Sequence, residues 1–366
     1  MNQQTIPNVT LFDLLARNWQ RPAPVRQLCF NEDDTILAIG SADGAVALAR
    51  IGDNEPPESR IAIDNGQTTI APRKGKPSPL ISTRIQEGAA LSAYRDGAFL
   101  VSTRSGELLH VTRSGEIAGK VLSDRTPISA FAHNHAADLT AVVVRRRLRL
   151  QSGEVQAIRE VDLGELAPVI VSIFNDGSLI ALAGPNRLSI RRSHDDPGPL
   201  LEADLSSPPL SLKWSADGRW LACGLQTGDL CLLNAETGER IVFADFPGPV
   251  GTVDWSSVTN TVLASGAYRI AGWSMTAAPA KALATGRAGF VMVEAVAVHP
   301  SKALVAAGYA NGRIAVAEIG SPEELTICDI GGPVTALRWS ASGRYLAAGD
   351  ALGNAAIITF PNEIFK

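Results

Sequence analysis

Residues 209–233 read PLSLKWSADGRWLACGLQTGDLCLL, and residues 333–358 repeat the same plan as PVTALRWSASGRYLAAGDALGNAAII. Each stretch contains an apolar segment that ends in tryptophan, a short polar turn, a second apolar segment that ends in small residues, a glycine turn and a third apolar segment. Short apolar segments joined by such turns are typical of antiparallel β-hairpins. The two stretches therefore predict one structural unit that the chain uses more than once.

The same plan recurs along most of the chain. Clear copies also begin at Pro24 and Ala295, and weaker copies begin at Ala90, Pro127, Pro168 and Pro249. The anchor residues, which we take to end the first strand of each copy, recur about every 41 residues, within the range of roughly 40–45 residues for a four-stranded propeller blade. They are Phe30, Tyr94, Ala132, Phe174, Trp214, Trp255, Val298 and Trp339. Most copies are followed by a further apolar segment that we interpret as the fourth strand, the first of these being SRIAID from Ser59.

We therefore predict an all-β fold, a single closed β-propeller of four-stranded antiparallel blades over residues 1–366. Eight copies favour eight blades, and seven blades are the alternative if one weaker copy is irregular. The last copy lacks a fourth strand, so we expect residues 8–16 to supply it and close the ring, which would leave no unpaired sheet edge. The alternative for residues 11–19 is a short amphipathic helix.

The first two anchor residues are separated by about 23 residues more than one repeat requires. We place the additional residues at 64–88 and expect a mobile insertion loop between the first and second blades. This segment contains a basic cluster of Arg73, Lys74 and Lys76. Long loops on rigid scaffolds often carry function, so these three residues are candidates for binding a partner.

Composition limits the functional classes. The chain has 366 residues, is 45% hydrophobic and has a formal net charge of -4. This mild acidity argues against a protein that binds nucleic acid through phosphate contacts. The sequence contains neither a secretory signal pattern nor an apolar run of about 18 residues, so we expect a cytoplasmic protein that does not insert into membranes. Its four cysteines lie in apolar segments and are expected to be reduced and buried.

The repeated stretches resemble the WD-repeat family of β-propellers. The resemblance covers nearly the whole chain and is carried by KWSADGRWLACG, RWSASGRYLAAGD, VHPSKALVAAG and FNEDDTILAIGSADG. The chain lacks the Gly-His pair that precedes the first strand in that family, and places such as Leu233-Asn234 do not hold its Trp-Asp pair. The resemblance implies a rigid platform for other proteins, without enzymatic activity. The departures imply that blade cohesion depends more on packed apolar strands.

Local signatures of catalysis are missing from the sequence. It contains neither a nucleophile elbow nor a dinucleotide-binding fingerprint, so we predict no enzymatic activity, no cofactor and no small-molecule substrate. The alternative is a propeller enzyme with a metal- or cofactor-dependent hydrolase or dehydrogenase site in the central channel, against which the scarcity of histidine counts. His133 and His135 are close enough in sequence to share a metal, but we interpret them as part of a polar turn.

Arginines surround the turn between the second and third strands of one predicted blade. Arg145, Arg146, Arg147 and Arg149 form a candidate basic patch for an acidic region of a protein partner. A nucleic acid or another anionic surface is the less favoured ligand for this patch. The recurring Trp214, Trp255 and Trp339 are expected to pack between blades.

Overall fold

The computed structural model describes residues 9–64, 67–153, 158–194, 198–276, 280–329, 331–362 and 364–365. Eight four-stranded antiparallel sheets are arranged in a ring. This confirms the predicted all-β propeller and the favoured count of eight blades. In each blade the strands pair in the order first, second, third and fourth, and the first strands surround the central channel.

The strands follow one another along the chain, with exceptions in the first and last blades. Helix α1 (Leu11–Leu15) and strand β1 (Ala16–Gln20) precede the first blade. The first four blades contain β2 (Val25–Phe30), β3 (Ile36–Ser41), β4 (Val46–Arg50) and β7 (Ile81–Ser82); β8 (Gly88–Ala93), β9 (Phe99–Thr103), β10 (Glu107–Val111) and β11 (Ile117–Ser123); β12 (Ala130–Asn134), β13 (Leu139–Val144), β14 (Arg147–Ser152) and β15 (Ile158–Asp162); and β16 (Ile170–Ile173), β17 (Leu179–Ala183), β18 (Arg187–Arg192) and β19 (Pro199–Asp204).

The second half of the ring repeats this arrangement. Its blades contain β20 (Pro209–Trp214), β21 (Trp220–Leu225), β22 (Leu230–Asn234) and β23 (Arg240–Phe243); β24 (Val253–Ser256), β25 (Thr261–Ala264), β26 (Ala271–Ser274) and β27 (Lys281–Ala282); β28 (Val293–Val298), β29 (Leu304–Tyr309), β30 (Arg313–Glu318) and β31 (Glu324–Asp329); and β32 (Val334–Trp339), β33 (Tyr345–Asp350), β34 (Asn354–Thr359) and β1. Strands β5 (Ile61–Asp64) and β6 (Gln67–Ile70) form a separate hairpin, and Pro57–Arg60 and Arg95–Gly97 form short 3-10 helices.

Because neighbouring strands are antiparallel, the connections lie on two opposite faces of the ring. The upper face consists of the turns between second and third strands together with the connections from one blade to the next. The lower face consists of the turns between first and second strands and between third and fourth strands. The glycines of the upper-face turns lie in the left-handed region, as at Gly44 (φ 90°) and Gly228 (φ 86°). This conformation explains why the predicted turns end in glycine.

The N-terminal segment closes the ring, but not with the expected residues. Strand β1 pairs with β34, from Ala16 opposite Ile358 to Gln20 opposite Asn354. Most of the expected strand, 8–16, is instead helix α1, which Thr10 and Asp13 cap reciprocally, while residue 8 lies outside the described residues. The strand therefore begins at Ala16, and the helix that we weighed as the alternative comes directly before it.

The insertion lies inside the first blade, so our placement of it at 64–88, between the first two blades, was wrong. The additional residues separate β4 from β7, and the expected fourth strand from Ser59 contributes to the β5–β6 hairpin instead. After β4, Pro56 and Pro57 direct the chain into a 3-10 helix and away from the blade edge. Residues Ile81 and Ser82 then return to pair with Leu48 and Ala47.

Three tryptophans join neighbouring blades, as the repeat predicted. Trp214, Trp255 and Trp339 are all buried. The indole N–H of each donates a hydrogen bond to the first strand of the preceding blade. The acceptors are the carbonyl oxygens of Ser172, Lys213 and Ala297, at 3.3, 3.1 and 3.1 Å respectively. Each tryptophan thus combines apolar packing with a directional contact that fixes the distance between blades.

Polar side chains also bridge the first strands of adjacent blades. The N–H groups of Leu91, Val296 and Val298 donate to side-chain oxygens of the preceding blade. The acceptors are Gln27 Oε1, Thr252 Oγ1 and Asp254 Oδ2, at 2.8, 2.8 and 2.9 Å. Cohesion between blades therefore has a polar component in addition to the apolar packing that the resemblance implied.

The weaker copies deviate at their anchor residues. Tyr94 and Phe174 lie one residue beyond the end of β8 and β16, and Ala132 lies in the middle of β12. In contrast, Phe30, Val298 and other anchors end their strands as expected. The period of the repeat therefore predicted the blades, although their individual strand ends vary by one or two residues.

We expect the thiols of Cys223 and Cys231 to resist alkylation in the folded protein. They face each other across β21 and β22, are fully buried, and burial raises the pKa of both. A thiol that is buried and protonated is a poor nucleophile. Treatment with a maleimide followed by peptide mass spectrometry should leave both unmodified in buffer and modify both in denaturant. Labelling within minutes in buffer would contradict this burial.

Candidate functional site

The upper face of the sixth and seventh blades displays two large aromatic side chains. Phe290, in the connection between these blades, is 99% exposed, and Tyr268, in the turn between β25 and β26, is 46% exposed. The two segments touch, because the N–H of Gly289 donates to the carbonyl oxygen of Tyr268 at 3.2 Å. We call Tyr268 and Phe290 the aromatic pair.

The loops that carry the aromatic pair are held by hydrogen bonds. Arg269 Nε lies 3.2 and 2.9 Å from the carbonyl oxygens of Thr285 and Gly286. The backbones of Gly266 and Val293 are also joined, at 2.9 Å. A fixed loop loses little conformational entropy when its side chains are buried by a partner, which favours binding.

The predicted arginine patch includes a strained turn, also on the upper face. Arg145 and Arg146 form the turn between β13 and β14, and both have positive φ angles, 50° and 61°. A two-residue hairpin turn of this kind normally contains asparagine or glycine. Side chains larger than these are strained there, and strain of this kind is often found at functional sites.

Most of the charge of this patch is balanced by acidic neighbours. Arg147 and Arg149 contact Glu160 at 3.2 and 2.8 Å, Arg149 also contacts Asp124 at 3.1 Å, and Arg146 lies 3.4 Å from Glu165. Arg145 donates to the hydroxyl oxygen of Thr126. The patch is therefore a mixed network of charges, in which Arg146 and Arg147 remain more than half exposed.

The second predicted basic cluster lies on the opposite, lower face. Arg73 pairs with Asp53 and is mostly buried, whereas Lys74 and Lys76 are exposed. The carboxylate of Glu55 accepts from the backbone N–H groups of Lys74 and Gly75, at 2.9 and 3.0 Å. The structure thus separates the two predicted basic clusters. It gives Arg73 a structural contact, while the role of the two lysines in partner binding stays a prediction.

The central channel has a cleft of about 630 Å³ at its lower mouth. Lys213 and Asp254 form an ion pair of 3.2 Å in its wall, and the other carboxylate oxygen of Asp254 accepts from the N–H of Val298. Within the described ranges, no three His, Cys, Asp or Glu side chains are grouped as a metal site would require. The ion pair of Lys213 and Asp254 therefore takes part in structural contacts.

The two neighbouring histidines have different environments. His133 lies in β12, not in the expected turn, and its Nδ1 is 2.9 Å from the hydroxyl oxygen of Thr140. His135 lies in the turn, with its Nδ1 2.7 Å from Glu32 Oε1. Burial lowers the pKa of His133 to about 4, although the charge of Asp138 opposes this effect. His133 is therefore neutral at physiological pH.

We expect His133 to destabilise the fold between pH 6.5 and pH 4. Its pKa is lower in the folded state than in the unfolded state, so the unfolded chain binds the proton first as the pH falls. The full shift corresponds to about 3 kcal/mol, and we expect about 2 kcal/mol because the ring is partly exposed. The free energy of unfolding of His133→Gln, measured relative to that of the unsubstituted protein, should therefore be about 2 kcal/mol higher at pH 4 than at pH 8. Urea unfolding at both pH values measures this difference. The exposed His194→Gln is the control, and equal pH dependence of both variants would contradict the assignment.

Comparisons with solved structures identify the fold. The computationally designed Ika8 protein is 15% identical with a TM-score of 0.71, and the match covers 95% of this chain and 99% of that one. The C-terminal WD40 domain of Sif2 is 14% identical with a TM-score of 0.64, over 94% of this chain and 99% of that domain. The chain has the fold of a WD40 propeller. A chain of the Mitotic Checkpoint Complex is 12% identical with a TM-score of 0.59, and the match covers 99% of this chain and 99% of that one.

These matches confirm the resemblance to WD-repeat propellers at the level of the fold. At such low identity they do not carry over a ligand or a partner. No protein-family model matches the chain, and no curated sequence is similar to it. None of the helices in the described part of this WD40-type propeller is long and apolar enough to cross a membrane.

Sequence reasoning missed the aromatic pair. The connection that contains Phe290 reads GRAGFVMVE, and a large apolar residue in a glycine-containing connection was the available signal. Exposed single apolar residues are common on protein surfaces, so this signal alone is weak. Only the structure shows that Phe290 is fully exposed and that its connection contacts the turn that contains Tyr268.

Proposed function

We propose that this protein is a non-catalytic scaffold that binds other proteins through its upper face, as a subunit of a cytoplasmic multiprotein complex. The observation that carries the proposal is the aromatic pair of Tyr268 and Phe290. The fold supports it by analogy, since a chain of similar fold belongs to the Mitotic Checkpoint Complex. Fold analogy is a weaker argument than the site itself.

A fully exposed phenylalanine leaves the free energy of its burial available for binding a partner. Burial of such a side chain stabilises a protein by about 2 kcal/mol. Phe290 contributes none of this free energy to the propeller because it is not buried there. Aromatic residues are enriched at the centres of protein interfaces, where tyrosine in particular contributes both apolar area and a hydrogen bond. The aromatic pair is therefore suited to anchor a partner.

The strained turn at Arg145 and Arg146 supports the same face. A sequence selected for stability alone would have asparagine and glycine in this turn. Arginine makes planar, bidentate contacts with carboxylates, which a protein partner can supply. We therefore assign the arginine turn to the rim of the proposed interface. The net charge of the chain and the acidic neighbours of this turn favour a protein over a nucleic acid.

The alternative to this proposal is a propeller enzyme with its catalytic site in the central channel. A catalytic site needs polar groups that are available to a substrate. In the channel cleft, Asp254 is bound by Lys213 and by a backbone N–H. These contacts favour a structural role for the most prominent charged pair of that cleft.

Affinity purification tests the proposal. The tagged protein should recover stoichiometric partners from its native cells at moderate salt, and Phe290→Ser should reduce their recovery at least tenfold. Because the side chain is exposed, the substitution should change the free energy of unfolding by no more than about 0.5 kcal/mol.

Val258→Ser is the matched control. Val258 is 52% exposed but lies on the lower face, in the turn between β24 and β25. This variant should recover the same partners as the unsubstituted protein. If the unsubstituted protein is recovered alone, or if both variants retain every partner, the proposed interface is wrong.

A further inference from the structure

A second feature of the upper face is a cleft of about 400 Å³ between the first and second blades. Its wall includes Arg26 from β2 and Arg104 from the turn between β9 and β10. Small residues, among them Gly40, Gly88 and Ala89, leave the cleft open. We call it the arginine cleft.

A β-bulge places Arg26 at the cleft. Val25 pairs with Ser41 and Gln27 pairs with Gly40, so Arg26 is the additional residue between them. Bulges of this kind redirect a side chain, and the first strands of four other blades have one at the equivalent position. Arg26 is exposed as a result.

Arg104 reaches across the boundary between the two blades. One terminal nitrogen of its guanidinium group donates to the carbonyl oxygen of Ala42 at 3.1 Å. This contact fixes the side chain over the cleft, while the group has further N–H donors for a ligand. A third arginine borders the same wall, because Arg21 Nε donates to Ser41 Oγ at 3.3 Å.

The walls of the arginine cleft contain no carboxylate among the described residues. Asp43 lies in the adjacent turn, where its carboxylate accepts from the N–H of Ala45 at 3.0 Å. In the part of the chain that the structure describes, Arg26 and Arg104 form no ion pair with another residue, unlike the arginines of the third blade. The cleft is thus positively charged without an internal counterion.

The surrounding upper face has the same sign of charge. Across the upper-face connections and turns of the first three blades, together with the bulge residue Arg26, the basic residues are Arg21, Arg26, Arg84, Arg104, Arg125, Arg145 and Arg146, and the acidic ones are Asp43, Glu87, Asp124 and Glu165. Such an excess attracts an acidic ligand before contact. It exists although the whole chain is acidic.

An apolar side chain adjoins this basic region. Leu352, in the turn between β33 and β34, is 61% exposed. Its carbonyl oxygen accepts from the side-chain amide of Gln20 at 2.8 Å, next to Arg21. A ligand that fits this surface therefore combines acidic and apolar residues.

From this charge complementarity we propose that the arginine cleft binds a carboxylate side chain of an acidic, leucine-containing segment of the protein partner. This inference rests on the proposed scaffold function and names the chemistry of its ligand. A guanidinium group presents planar pairs of N–H donors that suit a carboxylate, which accepts paired hydrogen bonds. Leu352, which adjoins this region through Gln20, would cover an apolar residue of the same segment.

Fluorescence anisotropy with a defined peptide tests the arginine cleft directly. The probe is a fluorescein-labelled peptide of repeated glycine, leucine and glutamate, and the comparison peptide has glutamine in place of each glutamate. The glutamate peptide should bind the full chain at least tenfold more tightly, and added salt should weaken it. The double substitution Arg26→Gln and Arg104→Gln should abolish that preference.

Arg219→Gln is the control for the loss of a positive charge outside the cleft. Arg219 is an exposed arginine of the lower face, so its loss changes the net charge without changing the cleft. Equal loss of binding in this control, or no preference for glutamate, would overturn the proposal. Tight binding of only a phosphoserine version of the peptide, or stronger binding of a single-stranded oligonucleotide, would also overturn it.

The affinity purification separates the two proposals. If Phe290→Ser loses the partner and the arginine double variant retains it, the upper-face scaffold stands and the arginine cleft is wrong. If both lose the partner and the glutamate peptide is preferred, both are supported. If neither loses the partner, both are wrong.

Discussion

Deletion of residues 1–20 should destabilise the protein by at least about 5 kcal/mol and cause it to aggregate. The deletion removes β1, whose five residues pair with β34, and Leu15, which is only 2% exposed and packs in the core of the last two blades. Loss of a buried leucine side chain costs about 2–5 kcal/mol by itself. The unpaired edge of β34 then becomes available for pairing with another chain.

Thermal unfolding and size-exclusion chromatography with light scattering measure both effects. Leu15→Ala is the control. Its free energy of unfolding should fall by about 2–5 kcal/mol, but it should still elute as a single species because the edge of β34 stays paired with β1. A synthetic peptide of residues 9–20 should restore the elution of the truncated protein. A truncated chain that remains as stable and as monodisperse as the complete one would show that ring closure is unimportant.

Arg17→Met should lower the free energy of unfolding by about 3 kcal/mol. This is the second large effect that we expect. Arg17 lies in the closing strand β1 and is 2% exposed. Its guanidinium group donates to the carbonyl oxygens of Arg50, Ile51 and Gly52 at 3.1, 2.6 and 3.1 Å. It therefore joins the last blade to the chain that leaves the first blade, and methionine leaves these carbonyl groups without their donor.

Asp53 limits the loss in this variant. Burial opposes the charge of Asp53, but hydrogen bonds from Arg73 and from the N–H of Glu55, with the charge of Arg17, outweigh burial and lower its pKa. Arg73 stays in contact after the substitution, so Asp53 does not become an isolated buried charge. For this reason we expect the lower end of the range for broken buried ion pairs.

Urea unfolding measures the loss, with two further variants for comparison. Arg17→Lys retains the charge but not the planar guanidinium group, so its free energy of unfolding should fall less than that of Arg17→Met. Arg219→Met, at an exposed arginine, should remain within about 0.5 kcal/mol of the unsubstituted protein. If Arg17→Met resembles Arg219→Met, the closure does not depend on this contact.

The repeated phrase was sufficient to predict the blades because the interactions that form them are local. Each hairpin is set by short apolar segments and by turn glycines such as Gly44, which has the positive φ that a tight turn requires. The tryptophans at one position per repeat predicted packing between blades, and Trp255 and Trp339 lie there. These features depend on spacing along the chain, which the sequence displays directly.

The misplaced insertion and the unpredicted contacts of ring closure concern residues whose partners are distant in sequence. The segment from Ser59 has the composition of a strand, but the edge of β4 is paired by Ile81 and Ser82. The contacts of Arg17 with residues 50–52 form only when the ring closes. No local pattern distinguishes these arrangements from their alternatives, since they depend on which edges remain open after the blades have packed.

In the candidate site, too, some features follow from local sequence and others depend on residues that are distant in sequence. The sequence by itself determined the propeller, its eight blades and the position of the Arg145–Arg146 turn, because short apolar segments and turn residues act over a few neighbouring positions. Only the tertiary structure decided that Arg73 is paired with Asp53, that Phe290 is exposed beside Tyr268, and that Arg26 and Arg104 share one cleft. Burial and charge pairing depend on residues brought together from different blades, and the linear order of the chain does not contain those distances.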